Sequence, residues 1–252
     1  MMHALKILGL IIFLLAIAQT IAVISFKQFA QTLHTQVANA PAPVLSANPP
    51  PELITNYAAR AGVLPTDLAR VIILSQTAQM RLKRGADWQS LTARQTISTG
   101  VSQFVWQAEQ YRGPFLMFRV IDGFIADEGR LNVRLFGSIP VADFSGPDAD
   151  RGEAMRYLAE LIWAPDAMLG NPDLKWQEIS DSQIGVELAL SSGTAQVVFR
   201  FDNQGDVIEA TAKSFPAPSS GAFSFSHANP FLRMSQSKRS INCGSLLARW
   251  NT

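Results

Sequence analysis

Twenty consecutive residues near the amino terminus, Ile7 to Phe26, carry no charge, and only Gln19, Thr20 and Ser25 among them are clearly polar. As a helix rising about 1.5 Å per residue, such a run is roughly 30 Å long, the thickness of a bilayer hydrocarbon core. The rest of the chain must therefore fold as a body tethered at one end, and the membrane is the first partner that the sequence names. A cleaved secretory signal is the competing reading. Its apolar region is usually only about 7–15 residues long. The small-residue pattern Ala38-Asn39-Ala40 lies well beyond the run and is followed by Pro41, which disfavours cleavage there. Lys6 flanks one side of the run and Lys27 the other, so the positive-inside tendency gives a slight preference for a cytoplasmic amino terminus. The expectation is a single-pass protein with its body outside the cytoplasm.

Four segments follow from the pattern: an anchor over 1–33, a Pro-rich linker over 34–51, a folded body over 52–213 and a Ser-rich basic tail over 214–252. Five prolines in Gln36 to Pro51 favour an extended, solvated spacer. Glu52 to Ala61 reads as a short helix stopped by Gly62 and Pro65. From Val71 the dominant period is two. Phe104, Trp106 and Ala108 share a face, and Leu131, Val133 and Leu135 alternate with Arg130, Asn132 and Arg134. Phe115 to Ile121 is almost wholly apolar, as suits a strand buried on both faces. Asp127-Glu128-Gly129 reads as a turn. A later meander alternates through Ile184, Val186, Leu188 and Leu190, turns at Ser191-Ser192-Gly193, and resumes through Ala195 to Phe201. Short strands joined by tight turns imply antiparallel pairing. Between the strand groups, Asp148 to Trp163 reads as one long helix with Asp150 and Glu153 at capping-box spacing, ended by Pro165. The tail has no acidic residue after Glu209, and its composition suggests poor order. The fold class expected is α+β: a curved, half-barrel-like antiparallel sheet packed on one long helix.

The chemistry is bounded by what is missing. The histidines are His3, His34 and His227, and the single cysteine is Cys243, so the body from 52 to 213 holds neither type. A Ser-His-Asp triad, a cysteine nucleophile and a His/Cys metal site are thereby excluded from it. No phosphate-loop or dinucleotide fingerprint occurs, so neither cofactor nor metal is expected. A formal net charge of +1 lacks the basic excess usual in nucleic-acid binders, so no nucleic-acid partner is expected. Two constellations remain. Glu153, Arg156, Tyr157 and Glu160 share one face of the helix and form either a solvated or sheet-facing surface, or a pocket in which Arg156 holds an anionic group. Arg130 and Arg134 either form a polar outer strand face or a rim that grips phosphate or carboxylate. Four body tryptophans, Trp88, Trp106, Trp163 and Trp176, either fill the core or line an apolar cavity.

The stretch FGSIPVADFSGPDADRGEAMRYLAELIWAPDAML, then KWQEIS, and before them DWQSLTARQ, QFVWQAE and VIDGFIADEGRLNVRLFG resemble an uncharacterised bacterial family, domain of unknown function 6544. The resemblance spans roughly residues 50–213 and is most specific over Arg156 to Pro165. It implies no activity and no catalytic residue. The leading expectation is a membrane-anchored envelope module that binds a hydrophobic or lipid-like molecule, or an envelope protein, without catalysis. One rival is a hydrolase-type enzyme using Glu160 with Arg156, and another is an assembly protein without a pocket. An apolar cavity between helix 148–163 and the sheet discriminates among them.

Overall fold

The computed structural model describes residues 2–46, 48–80, 87–212 and 232–237. Helix α1 spans Met2–Ala38. Nearly all of its residues up to Ser25 are exposed. Beyond them Phe26, Ala30, His34 and Val37 are buried, at spacings that place them on one helical face. The helix thus continues past the expected anchor end at 33 and packs its last three turns onto the body.

The Pro-rich segment that follows has no regular secondary structure among its described residues, and its first part is docked rather than solvated. Arg70 Nε and Nη2 donate to the carbonyl of Ala40 at 3.0 and 2.8 Å, and Val44 N donates to Gly170 O at 2.8 Å. Gly100 accommodates this crossing: a Cβ there would sit 2.4 Å from Pro41 O.

Helix α2, Glu52–Arg60, leads into six strands in meander order. They are β1 Val71–Met80, β2 Gln89–Ser98, β3 Phe104–Arg112, β4 Phe115–Ile125, β5 Glu128–Leu135 and β6 Ile139–Ser145. Helix α3, Pro147–Ala159, then runs into a single 3-10 turn, Glu160–Trp163, and helix α4, Pro165–Gly170. The second meander comprises β7 Lys175–Ser180, β8 Gln183–Leu190, β9 Gly193–Phe201 and β10 Val207–Ala212. A last strand, β11 Leu232–Ser237, pairs antiparallel with β1 and covers that edge. The rest of the Ser-rich basic tail lies outside the described residues.

The α+β class and the antiparallel pairing stand, but the layering differs from one sheet on one long helix. There are two open sheets, ordered β11-β1-β2-β3-β4-β5-β6 and β10-β9-β8-β7, and α3 packs between them, against β4, β5 and β6 on one side and β8, β9 and β10 on the other. One core joins all three layers through residues such as Phe104, Trp106, Phe124, Leu158, Leu161, Val186 and Phe199. The first sheet also has a second, smaller core on its outer face, where Phe26, Ala30 and Val37 of α1 cover Val105 and Ile121. That double coverage buries Val120 and Ile121 on opposite faces of β4, but the expectation of burial on both faces fails over the start of the run, where Phe115 is exposed and Leu116 to Phe118 are half-buried.

The start of α3 shows what sequence spacing leaves open. Gly146, at φ 98°, occupies the N-cap, and Pro147 opens the helix. Asp150 caps nothing; its Oδ1 accepts from Gly129 N at 2.7 Å. A Cβ on Gly129 would lie 2.3 Å from Ala149 O, so only glycine lets β5 approach the helix this closely. The preceding turn is made by Ala126 and Asp127, both at positive φ, and Asp127 Oδ2 accepts from Ser191 N at 2.7 Å, tying the two meanders together.

Candidate functional site

Strand parity places Leu74 and Gln76 of β1, Gln95 and Ile97 of β2, Trp106 of β3, and Val120, Asp122 and Phe124 of β4 on the inner face. Registry then aligns three of them in a row: Gln95 is opposite Trp106, and Trp106 is opposite Asp122. Arg156 of α3 lies over this row. Its guanidinium carbon is 5.2 Å from the ring centre of Phe104 and 5.1 Å from that of Trp106, a geometry in which the ring faces attract the cation. Arg156 Nη1 donates to Asp122, Nε donates to Glu160 Oε1 at 2.9 Å, and Glu153 Oε2 lies 3.9 Å from Nη1. The other oxygen of Glu160 accepts from Gln95. Gln76 donates to Gln95 Oε1 at 3.1 Å and accepts from Trp106 Nε1 at 2.7 Å. The result is one continuous chain, Trp106–Gln76–Gln95–Glu160–Arg156–Asp122, closed inside the core.

Three carboxyl groups around one guanidinium cannot all be charged cheaply out of water. Burial, then the Asp122 charge, pushes Glu153 well above the usual carboxylate range. Asp122 is also raised by burial, although Arg156 opposes the shift. Asp122 Oδ1 and Glu153 Oε2 are both buried without a hydrogen-bond partner among the described residues. Asp122 and Glu160 are the two carboxyl groups to which Arg156 donates. Chemically, the arrangement can hold one proton between two carboxyls and fix a cation beside two aromatic faces.

The structure brings Glu153, Arg156 and Glu160 together and separates Tyr157 from them. Tyr157 is buried and turned to α4, where its hydroxyl accepts from Asn171 Nδ2 at 2.9 Å; Asn171 Nδ2 also donates to Ser102 Oγ at 2.9 Å. Burial raises the Tyr157 phenol. Arg130 and Arg134 do share the outer face of β5, but they do not converge. Arg130 is exposed, whereas Arg134 Nε donates to Asn132 Oδ1 at 2.8 Å and its guanidinium carbon lies 4.8 Å from the ring centre of Phe26. Trp106 fills the core, and Trp176 packs on Phe199 with ring centres 6.5 Å apart.

A second site was not foreseen. On the outer face of the first sheet, a groove of about 740 Å³ runs between the last turns of α1 and strands β1 to β3, lined by Lys27, His34, Arg94, Thr96 and Gln107 and by the carboxylate of Glu109, which Arg119 pairs at 2.8 Å. Lys27 and Arg94 make no ion pair among the described residues. His34 Nδ1 lies 2.8 Å from Thr96 Oγ1, and its Nε2 is buried without a partner among the described residues. Burial, aided by Arg94, lowers its pKa to about 4. The sequence carries the signal as Phe26, Ala30, His34 and Val37 at helical spacing, a pattern that straddles the expected boundary between anchor and linker.

Among the described residues no group of His, Cys, Asp and Glu has a metal-binding arrangement. Helix α1 is long and apolar enough to cross a membrane. No curated protein and no solved structure matches the chain. A family model does, over residues 46–231, described as a family of unknown function, DUF6544. With that match spanning most of the sequence and covering strands β1 to β10, the chain belongs to the DUF6544 family.

Proposed function

We propose that this protein is a membrane-tethered binding module, with its body outside the cytoplasm, that holds the anionic head of a lipid-like molecule in the groove at the foot of α1. The observation that carries this reading is the position of the groove. It begins at Lys27, one residue past the apolar run, and presents Lys27 and Arg94 to a ligand arriving from the membrane surface. Charge-assisted hydrogen bonds to such a head group are roughly twice as strong as neutral ones. Neutral His34 adds a buried ring nitrogen able to take part in a hydrogen bond. The space between α3 and the sheets offers less to an acyl chain, because Phe104, Trp106, Tyr157 and Leu158 occupy it.

The test is native mass spectrometry of the full chain purified in mild detergent. The expected result is a retained anionic phospholipid that is lost in the Lys27→Glu, Arg94→Glu double variant. Equal retention by both proteins, or none by either, overturns the reading.

The carboxylate-enzyme alternative uses Glu160 with Arg156. Against it, both oxygens of Glu160 are engaged by fixed donors, Arg156 and Gln95, which suits an acceptor that organises the core better than a group exchanging protons with a substrate.

A further inference from the structure

The lower rim of the first sheet carries an apolar patch of its own. The turns β3–β4 and β5–β6 lie at the same end of the sheet, and Phe136 N donates to Met117 O at 2.8 Å across them. At this end Phe115 is 70% exposed, Ile139 48% and Phe136 44%, with Tyr111 and Val141 exposed beside them. Large apolar side chains grouped on one exposed edge mark a surface that meets something other than water. Phe136 is also held at φ 51°, a conformation unfavourable for a bulky residue. The turn accepts that cost and keeps an aromatic ring outward.

The rim is continuous with α1. Ser138 Oγ donates to Gln19 Oε1 at 2.5 Å, and Gln19 Nε2 donates to Phe136 O at 3.2 Å. A Cβ on Gly137 would lie 3.7 Å from Val23 Cγ2. Gln19 and Val23 are also the positions between Met2 and Ser25 that the body partly covers. Gln19 precedes Phe26 by seven residues, roughly 10 Å along the helix axis. A rim fastened at Gln19 therefore sits beside the apolar run, below its end. The contact also supplies partners for the most polar side chain in that run, which would otherwise face hydrocarbon.

We propose that the turns β3–β4 and β5–β6 are embedded in the same leaflet that α1 leaves, with Phe115, Phe136 and Ile139 in the acyl–headgroup boundary. The body is then seated in the membrane and not suspended above it. Tyr111 lies at headgroup level, as aromatic belts do. Arg112, next to the β3–β4 turn, reaches back to the phosphates by its long stem, which sets the depth at about 5–10 Å, typical of interfacial insertion. This inference rests on the membrane reading of α1.

The experiment is site-directed spin labelling of the full chain in phosphatidylcholine/phosphatidylglycerol vesicles. Cys243→Ser serves as background, with single substitutions Phe115→Cys, Phe136→Cys and Ile139→Cys, plus Leu14→Cys in α1 and Glu178→Cys in β7 as references. Relaxation by oxygen against a water-soluble nickel chelate reports depth. The expected result is that the three rim labels resemble Leu14→Cys in favouring oxygen, while Glu178→Cys favours nickel. Rim labels that match Glu178→Cys while Leu14→Cys stays in lipid overturn the embedding and leave the anchor standing. A Leu14→Cys label open to nickel overturns both. Phe115→Cys and Ile139→Cys do not alter the positive-φ residue, so they decide the matter even if Phe136→Cys fails to fold.

Discussion

The two faces of the first sheet treat charge in opposite ways. On the inner face, Arg156 is closed into the core beside Phe104 and Trp106, with the carboxyl groups of Asp122 and Glu160 satisfying it. On the outer face Arg119 is also buried and paired with Glu109, but Lys27 and Arg94 border an open groove, and the buried His34 beneath them is held neutral. The same strands supply both faces, alternating residue by residue, so the difference comes from what packs on each. The inner face meets a helix and a second sheet, which leave no water for a stray charge, so charge there is paired within the core or quenched by a proton. The outer face meets a single helix, which covers a strip at Val105 and Ile121 and leaves the flank open. A closed network specifies the fold, and an open groove is where a ligand can enter.

Breaking the inner face should have the largest effect. Arg156→Ala leaves Asp122 and Glu160 buried without their cation. Removing one partner of such a group typically costs about 3–5 kcal/mol, which for a body of this size lowers the melting temperature by roughly 10 °C. Arg94→Ala, on the open side, should stay within about 0.5 kcal/mol. Thermal unfolding of the two variants in detergent measures the contrast directly, and equal shifts would erase it.

A smaller effect separates the faces by pH. Glu153 has a raised pKa in the folded protein, so as pH rises above the ordinary glutamate range the unfolded chain releases its proton first. The stability contributed by the protonated form is complete below that range and is lost as pH climbs towards the folded value. Glu153→Gln should flatten this decline, gaining on the parent protein at pH 8 compared with pH 4.

The smallest effect has the opposite sign. His34 has its pKa lowered from 6.5 to about 4, so the unfolded chain takes up the proton first as pH falls. Its contribution is complete above pH 6.5 and fades towards pH 4. His34→Gln, which keeps a side chain able to bond Thr96, should shed this acid-side loss. Denaturant midpoints measured across pH 4–8 for both variants test the pair of opposed slopes.

Much of the architecture is legible in the sequence. The uncharged run Ile7 to Phe26 dictates an apolar helix by length alone, and the alternation in Arg130 to Leu135 or Gln183 to Leu190 dictates strands whose faces are already assigned. Parity even marked the network: Gln76, Gln95 and Asp122 are polar at positions where Leu74, Ile97 and Val120 point inward. These signals are local, because periodicity is a property of neighbouring residues. Which sheet a strand joins, and what lies on it, depends on contacts between residues far apart in the chain. Only the tertiary structure decided that α3 is shared by two sheets, that Asp150 serves Gly129 and not its own helix, and that Tyr157 parts from Arg156. It alone decided that the last turns of α1 lie across Val105 and Ile121 to form a groove. Each of these follows from packing elements whose separate sequences allow several partners, and burial selects one only when all the faces close together.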